Sequence, residues 1–250
     1  MMDNIVVDIK EEPAPYGADQ CPVQEEYTVS DMLFIEDNEI FVLENKDVHM
    51  KAIIRNKGRL EFRNCTIHYG EEDVSDEIHL DNKQAEVTAV NCTFICHSSD
   101  AAFFINGENG GSAFFDECTF EDCLYFAGKM SNIRMHLCRI HNCGPRFVSC
   151  SYGSNCVIAE NEIIYDSLAD HLLIYVKKNQ DTYLGAVFCC YHQEADIQAN
   201  TVTCDPDFYS RYQFDHAIFG VKGDSVAECL FTKVRAAKRE EEEQEETMKL

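Results

Sequence analysis

One four-residue unit returns along the whole chain and limits what the chain can fold into. Asn91-Cys92-Thr93-Phe94 is preceded by Asn64-Cys65-Thr66-Ile67. It is followed by Glu117-Cys118-Thr119-Phe120, Leu137-Cys138-Arg139-Ile140, Glu160-Asn161-Glu162-Ile163, Ala199-Asn200-Thr201-Val202 and Glu228-Cys229-Leu230-Phe231. Asn45-Lys46-Asp47-Val48 is a poorer copy upstream. Taking the second residue as an anchor gives positions 46, 65, 92, 118, 138, 161, 200 and 229, in steps of 19, 27, 26, 20, 23, 39 and 29 residues. A period of roughly 20–30 residues built from short apolar runs is that of a stacked solenoid, whose units complete one another's core.

Within a repeat, an apolar run often opens just after an acidic residue, as in Asp100-Ala101-Ala102-Phe103-Phe104-Ile105, Asp122-Cys123-Leu124-Tyr125-Phe126 and Asp215-His216-Ala217-Ile218-Phe219. A turn follows, then a second strand that ends at the anchor. Alternation along a strand turns one face inward, and the same inward place recurs in each coil. The anchors therefore form a buried ladder, with Cys65, Cys92, Cys118 and Cys138 inward and neighbours in the row about 5 Å apart. Asn suits the same place because its amide can bond backbone groups. The 39-residue step leaves roughly residues 164–185 as an excursion, and a smaller one spans residues 203–213. Long loops on a regular scaffold are where function tends to sit.

The ends are different material. Residues 1–32 read as an acidic N-terminal tail broken by Pro13, Pro15 and Pro22, and residues 233–250 as a charged C-terminal helix or tail. The opening residues hold only the apolar run Ile5-Val6-Val7, unlike a secretory signal. That predicts a cytoplasmic protein whose 14 Cys stay reduced and act as packing residues. Forty-five acidic residues against 21 basic ones give a formal charge of −24. Phosphate neutralisation drives non-specific nucleic-acid binding, so this balance excludes nucleic acid, and anionic membranes with it, as expected partners.

The repeats quoted above resemble the right-handed parallel β-helix of the pectate-lyase-like superfamily, over about Leu33 to Thr232. The resemblance implies an all-β, right-handed parallel β-helix solenoid of about seven coils with charged terminal tails, the β-helix domain spanning residues 33–232. Enzymes and non-catalytic repeat proteins share this architecture. Gln180-Asp181-Thr182-Tyr183 resembles a motif of pectin methylesterases, and Asp215-His216-Ala217-Ile218-Phe219-Gly220 a second one with an extra residue. The resemblance would make Asp215 the nucleophile, Asp181 the acid/base and Gln180 an oxyanion donor. The family's Gln-Ala-Val-Ala-Leu and Leu-Gly-Arg-Pro-Trp segments are missing, and the chain has no Trp.

Other chemistry-bearing residues read as architecture. Asp76, Asp100, Asp122 and Asp215 fit turn capping, in which a carboxylate accepts backbone N–H groups. His136, Cys138, His141 and Cys143 cluster, as do Cys92, Cys96 and His97, but neither group has paired Cys-x2-Cys spacing. The expectation is therefore no metal, no cofactor and no catalytic residue. The chain is read as a non-catalytic intracellular scaffold or protein-binding repeat domain. Its partner is a protein, with carbohydrate as the alternative, and the alternative function is a pectin-esterase-type enzyme using Gln180, Asp181 and Asp215.

Overall fold

The computed structural model describes residues 24–71, 76–97, 103–144, 147–165, 188–191, 195–204 and 219–222. After a leading strand β1 (Glu25–Val29), the first turn of a solenoid runs through β2 (Leu33–Ile35), β3 (Ile40–Glu44) and β4 (Lys46–Met50). The second is β5 (Ile54–Asn56), β6 (Arg59–Arg63) and β7 (Thr66–Tyr69). The third is β8 (Ile78–Leu80), β9 (Glu86–Val90) and β10 (Thr93–Cys96), and the fourth β11 (Ile105–Asn106), β12 (Ser112–Asp116) and β13 (Thr119–Glu121). The next two turns are β14 (Ala127–His136) with β15 (Arg139–His141), and β16 (Val148–Ala159) with β17 (Glu162–Tyr165). Last come β18 (Phe188–Tyr191), β19 (Ala195–Gln198), β20 (Thr201–Cys204) and β21 (Phe219–Lys222).

Every pairing is parallel and joins like to like in successive turns. The third strands form an eight-stranded sheet in the order β1-β4-β7-β10-β13-β15-β17-β20. The first and second strands form two further faces. These are continuous through β14, whose first residues pair with β11 and whose later ones pair with β12. The regular three-stranded turns number about five, against about seven coils expected. In the two turns of β14 and β16 the first two strands are fused into one, and their mutual register slips around Met130 where the corner would be. Strand β1 lies within the stretch read as an N-terminal tail, yet it pairs with β4 from Glu25↔Lys46 to Val29↔Met50.

One backbone device makes the corner before each third strand. Asn45, Asn64, Asn91, Glu117, Leu137, Glu160 and Ala199 all have positive φ, between 52° and 57°. A single left-handed residue turns the chain sharply, and the next residue, the anchor, points inward. Asn accepts this conformation because its short amide bonds locally, whereas Leu137 and Ala199 carry a backbone cost of roughly 1–2 kcal/mol each.

The anchors are buried as the repeat requires, with Cys65, Cys92, Cys118, Cys138, Asn161 and Asn200 at 1–5% exposure. Five of them share one hydrogen bond, donated to a carbonyl of the preceding turn, while the Cys92 thiol donates to Val90 O of its own turn at 3.3 Å. Cys65 Sγ donates to Leu43 O at 3.3 Å, Cys118 Sγ to Ala89 O at 3.4 Å and Cys138 Sγ to Phe115 O at 3.6 Å. Asn161 Nδ2 reaches Met135 O at 3.0 Å and Asn200 Nδ2 reaches Ile158 O at 2.7 Å. A thiol and an amide are both small donors, which is why Cys and Asn alternate at one place. Lys46 does not join the row: its ammonium turns aside to pair with Glu25.

A second ladder repeats the device. Asp122 and Asn142 also have positive φ, and Cys123 and Cys143 after them are fully buried, bonded to Phe94 O and Phe120 O at 3.5 Å. Between the ladders lies an aromatic core. Phe94 stacks on Phe120 at 5.1 Å, Phe126 on Phe147 at 5.3 Å, and Phe115 packs edge-on to Phe94, Phe120 and Phe126. Each ring removes 150–250 Å² from water, so this stack supplies much of the hydrophobic stabilisation.

Candidate functional site

The outer face of the eight-stranded sheet carries the densest group of ligating side chains among the described residues. Strand alternation sends Val48 and Met50 inward and Asp47 and His49 outward from β4. Register then sets His49 directly against His68 of β7, with Asp47 opposite Thr66. The two imidazoles stack at 4.8 Å and 8°. His97, just past β10, continues the pile, its ring 5.2 Å from that of His68. Glu71, just past β7, closes the group from the side.

Each ring is oriented by a second group. His49 Nδ1 lies 2.9 Å from Glu71 Oε2, and His68 Nδ1 lies 2.9 Å from His97 Nε2. This leaves both Nε2 atoms turned to Asp47. His68 Nε2 is 3.1 Å from Asp47 Oδ1 and His49 Nε2 is 3.9 Å from Asp47 Oδ2. Asp47 Oδ1 is shut off from water yet takes part in no well-formed hydrogen bond. Partial burial disfavours the charge on Glu71, but its bond to His49 and the nearby His97 and His68 outweigh that and hold its carboxyl below the usual range.

His97 was singled out from sequence, with Cys92 and Cys96, but Asp47, His49, His68 and Glu71 were not, though a signal existed. His49 and His68 are each the third residue after an anchor, Lys46 and Cys65. Reading the outer row at that offset, rather than clusters along the chain, finds them. The clusters that sequence proximity suggested are dispersed by the fold. Cys138 and Cys143 point into the core, while His136 turns outward to Asp116 Oδ1 at 2.7 Å. Cys92 and Cys96 are likewise buried, away from His97 on the outer face. The described Cys65, Cys92, Cys96, Cys118, Cys123, Cys138, Cys143, Cys150 and Cys156 are free thiols. Burial pushes the Cys123 thiol far above its ordinary range, which disfavours the thiolate.

Asp76 accepts the backbone N–H of Gly70, the turn-capping role expected of it. Asp122 supplies a left-handed corner. Asp100, Gln180, Asp181 and Asp215 lie outside the described residues, as do residues 166–185 of the excursion, residues 205–213 of the smaller one and the charged C-terminal segment 233–250.

A second surface feature lies at the first turn. Outward residues Met32, Phe34, Ile40 and Val42 are 41–57% exposed. Next in register to Phe34, Ile40 and Val42 stand Arg55, Arg59 and Glu61. Arg59 bonds Glu86 at 2.9 Å, Arg55 bonds Asp81 at 2.8 Å, and Glu61, though on the outer side, is buried between Arg59 and Arg63. The apolar patch thus ends in a charged border.

All-parallel sheets, left-handed corners and an inward Cys/Asn ladder define a parallel β-solenoid. The family model described as "right handed beta helix region" matches residues 28–203, and the chain belongs to that family. No curated protein and no solved structure matches it significantly.

Proposed function

We propose that the protein is a non-catalytic, intracellular β-helix scaffold that holds another protein against its first turn. The observation that carries this reading is the exposed apolar set Met32, Phe34, Ile40 and Val42. Among the described residues strands β2 and β3 are also the two ends of their sheet path, an edge position to which a partner strand can add. Isolated exposed apolar residues are ordinary, but four of them on or beside the two outer strands of one turn are a recognition feature. The formal charge of −24 favours a partner segment with apolar side chains flanked by basic ones. The free thiols support a reducing compartment.

A photo-crosslinking residue at Phe34, introduced into the full chain in cells, tests this. The expected result is one recurrent protein adduct, lost when Ile40 and Val42 are both changed to Asp, with thermal stability unchanged. The same adduct surviving that double substitution would place the contact elsewhere. The esterase alternative has its own readout. Turnover of a methyl-esterified polyuronate, abolished by both Asp181→Asn and Asp215→Asn, overturns the non-catalytic reading.

A further inference from the structure

The outer face of β4 and β7 holds a donor set that the scaffold reading does not use. Asp47 and His49 are two residues apart on one strand and so share a face, and His68 stands opposite His49 on the next strand. One ligand atom from each of these three side chains can be chosen so that all lie within 4.8 Å of one another. Two donors bound to one tetrahedral ion at 2.0–2.1 Å are about 3.3 Å apart. The observed separations, 3.1 Å from Asp47 Oδ1 to His68 Nε2 and 3.9 Å from Asp47 Oδ2 to His49 Nε2, lie on either side of that value.

The surroundings match those of a metal site. A ligating imidazole normally donates its other N–H to a carboxylate or another acceptor, which fixes the tautomer that leaves the ligating nitrogen bare. Glu71 does this for His49, and His97 is placed to do it for His68. The Asp47 carboxylate faces both rings, its solvent-excluded Oδ1 3.1 Å from His68 Nε2 and its Oδ2 3.9 Å from His49 Nε2.

We infer that Asp47, His49 and His68 form a binding site for a divalent transition-metal ion of the Zn2+ class. Two imidazole nitrogens and one carboxylate exclude Ca2+ and Mg2+, which take oxygen ligands, and the absence of thiolate excludes Cu(I). Three protein ligands leave a coordination position for water or for a donor supplied by a bound partner. The half-buried side chains of His49 and His68, 22% and 18% exposed, keep that position within reach of solvent. The inference stands apart from the scaffold reading, because the site lies on the eight-stranded sheet and not on β2 and β3.

The test uses the full chain, reduced and stripped by chelator, titrated with Co2+ and with Zn2+ in equilibrium dialysis. The expected result is one saturable equivalent, with visible Co2+ d–d bands and no thiolate charge-transfer band, and Zn2+ displacing Co2+. His49→Ala and His68→Ala abolish it, Glu71→Gln weakens it roughly 10–100-fold, and His136→Ala on another face leaves it unchanged. Ring-nitrogen NMR of the unsubstituted protein gives the same information without a variant that must fold: Zn2+ shifts the Nε2 resonances of His49 and His68. The inference is overturned by no saturable binding, by a thiolate band, by undiminished binding in a folded His49→Ala/His68→Ala double variant, or by unmoved His49 and His68 resonances.

Discussion

The row of anchors inside the solenoid and the row of histidines outside are products of the same operation, one strand laid on the next. The inner row runs Cys65, Cys92, Cys118, Cys138, Asn161, Asn200 and hardly varies, because each member is small and buried and, Cys92 apart, donates to the same carbonyl position of the turn before. The outer row, read through the register, runs Thr28, His49, His68, Ile95, Glu121, His141. Nothing about packing demands any of these. Repetition inside follows from close packing and hydrogen-bond satisfaction. Outside, water satisfies whatever is there, so stacked imidazoles oriented on one carboxylate reflect chemistry rather than the fold.

The comparison is broken most severely by placing a charge in the inner row. Cys118→Asp buries a carboxylate among thiols and backbone carbonyls, and the expected loss is about 3–5 kcal/mol in chemical denaturation. Next comes Asn161→Ala. Asn161 Oδ1 accepts the Cys138 N–H at 2.8 Å and its Nδ2 donates to Met135 O, so truncation leaves both buried backbone groups unpaired. The expected cost is about 2–3 kcal/mol, with Asn161→Cys costing less because Cys occupies the equivalent place one turn earlier. Equal losses in the two variants would show that the row does not depend on the shared hydrogen bond.

The corner residue before each anchor sharpens the comparison in the other direction. Leu137, at φ 53° and 47% exposed, occupies a conformation that its side chain disfavours. Leu137→Asn is expected to stabilise by about 1 kcal/mol, raising the denaturation midpoint. On the outer row, His68→Ala without metal is expected to change stability by only about 0.5 kcal/mol, as a surface substitution does. A loss as large as that of Asn161→Ala would make the histidine stack structural.

The smallest effect concerns Asp76, half-buried between the two regimes. Burial, with Glu77 and Glu71 nearby, raises its carboxyl despite the N–H bonds it accepts. The folded protein therefore holds this proton more tightly than the unfolded chain does. Its contribution favours folding at low pH and is lost as pH rises from the ordinary Asp range through the raised folded value. Asp76→Asn should flatten stability against pH in that window alone, which a series of melting curves measures.

Much of the architecture was legible because the inner row is written as near-identical residues at quasi-regular steps. Asn64-Cys65 and Asn91-Cys92 announce a left-handed corner followed by a small inward donor, even where Leu137 or Ala199 later replaces Asn. The second ladder, Cys123 and Cys143, was harder to see because among the described residues it shows two members preceded by unlike residues, Asp122 and Asn142. Lys46 sits at an anchor place in sequence but leaves the row, since an ammonium finds its partner, Glu25, outside.

The sequence by itself determined the solenoid class, the inward row and the burial of its thiols. All three follow from a repeat that one chain can read off against itself, under packing rules that hold in every turn. The tertiary structure alone decided which outward residues become neighbours. Steps of 19 and 27 residues contain loops of unequal length, so distance along the chain does not say that Asp47, His49, His68, Glu71 and His97 meet. Strand register sets His49 over His68 and imidazole stacking orients them. The loop after β7 brings Glu71 back, because parallel strands about 4.8 Å apart convert equal offsets from an anchor into contact.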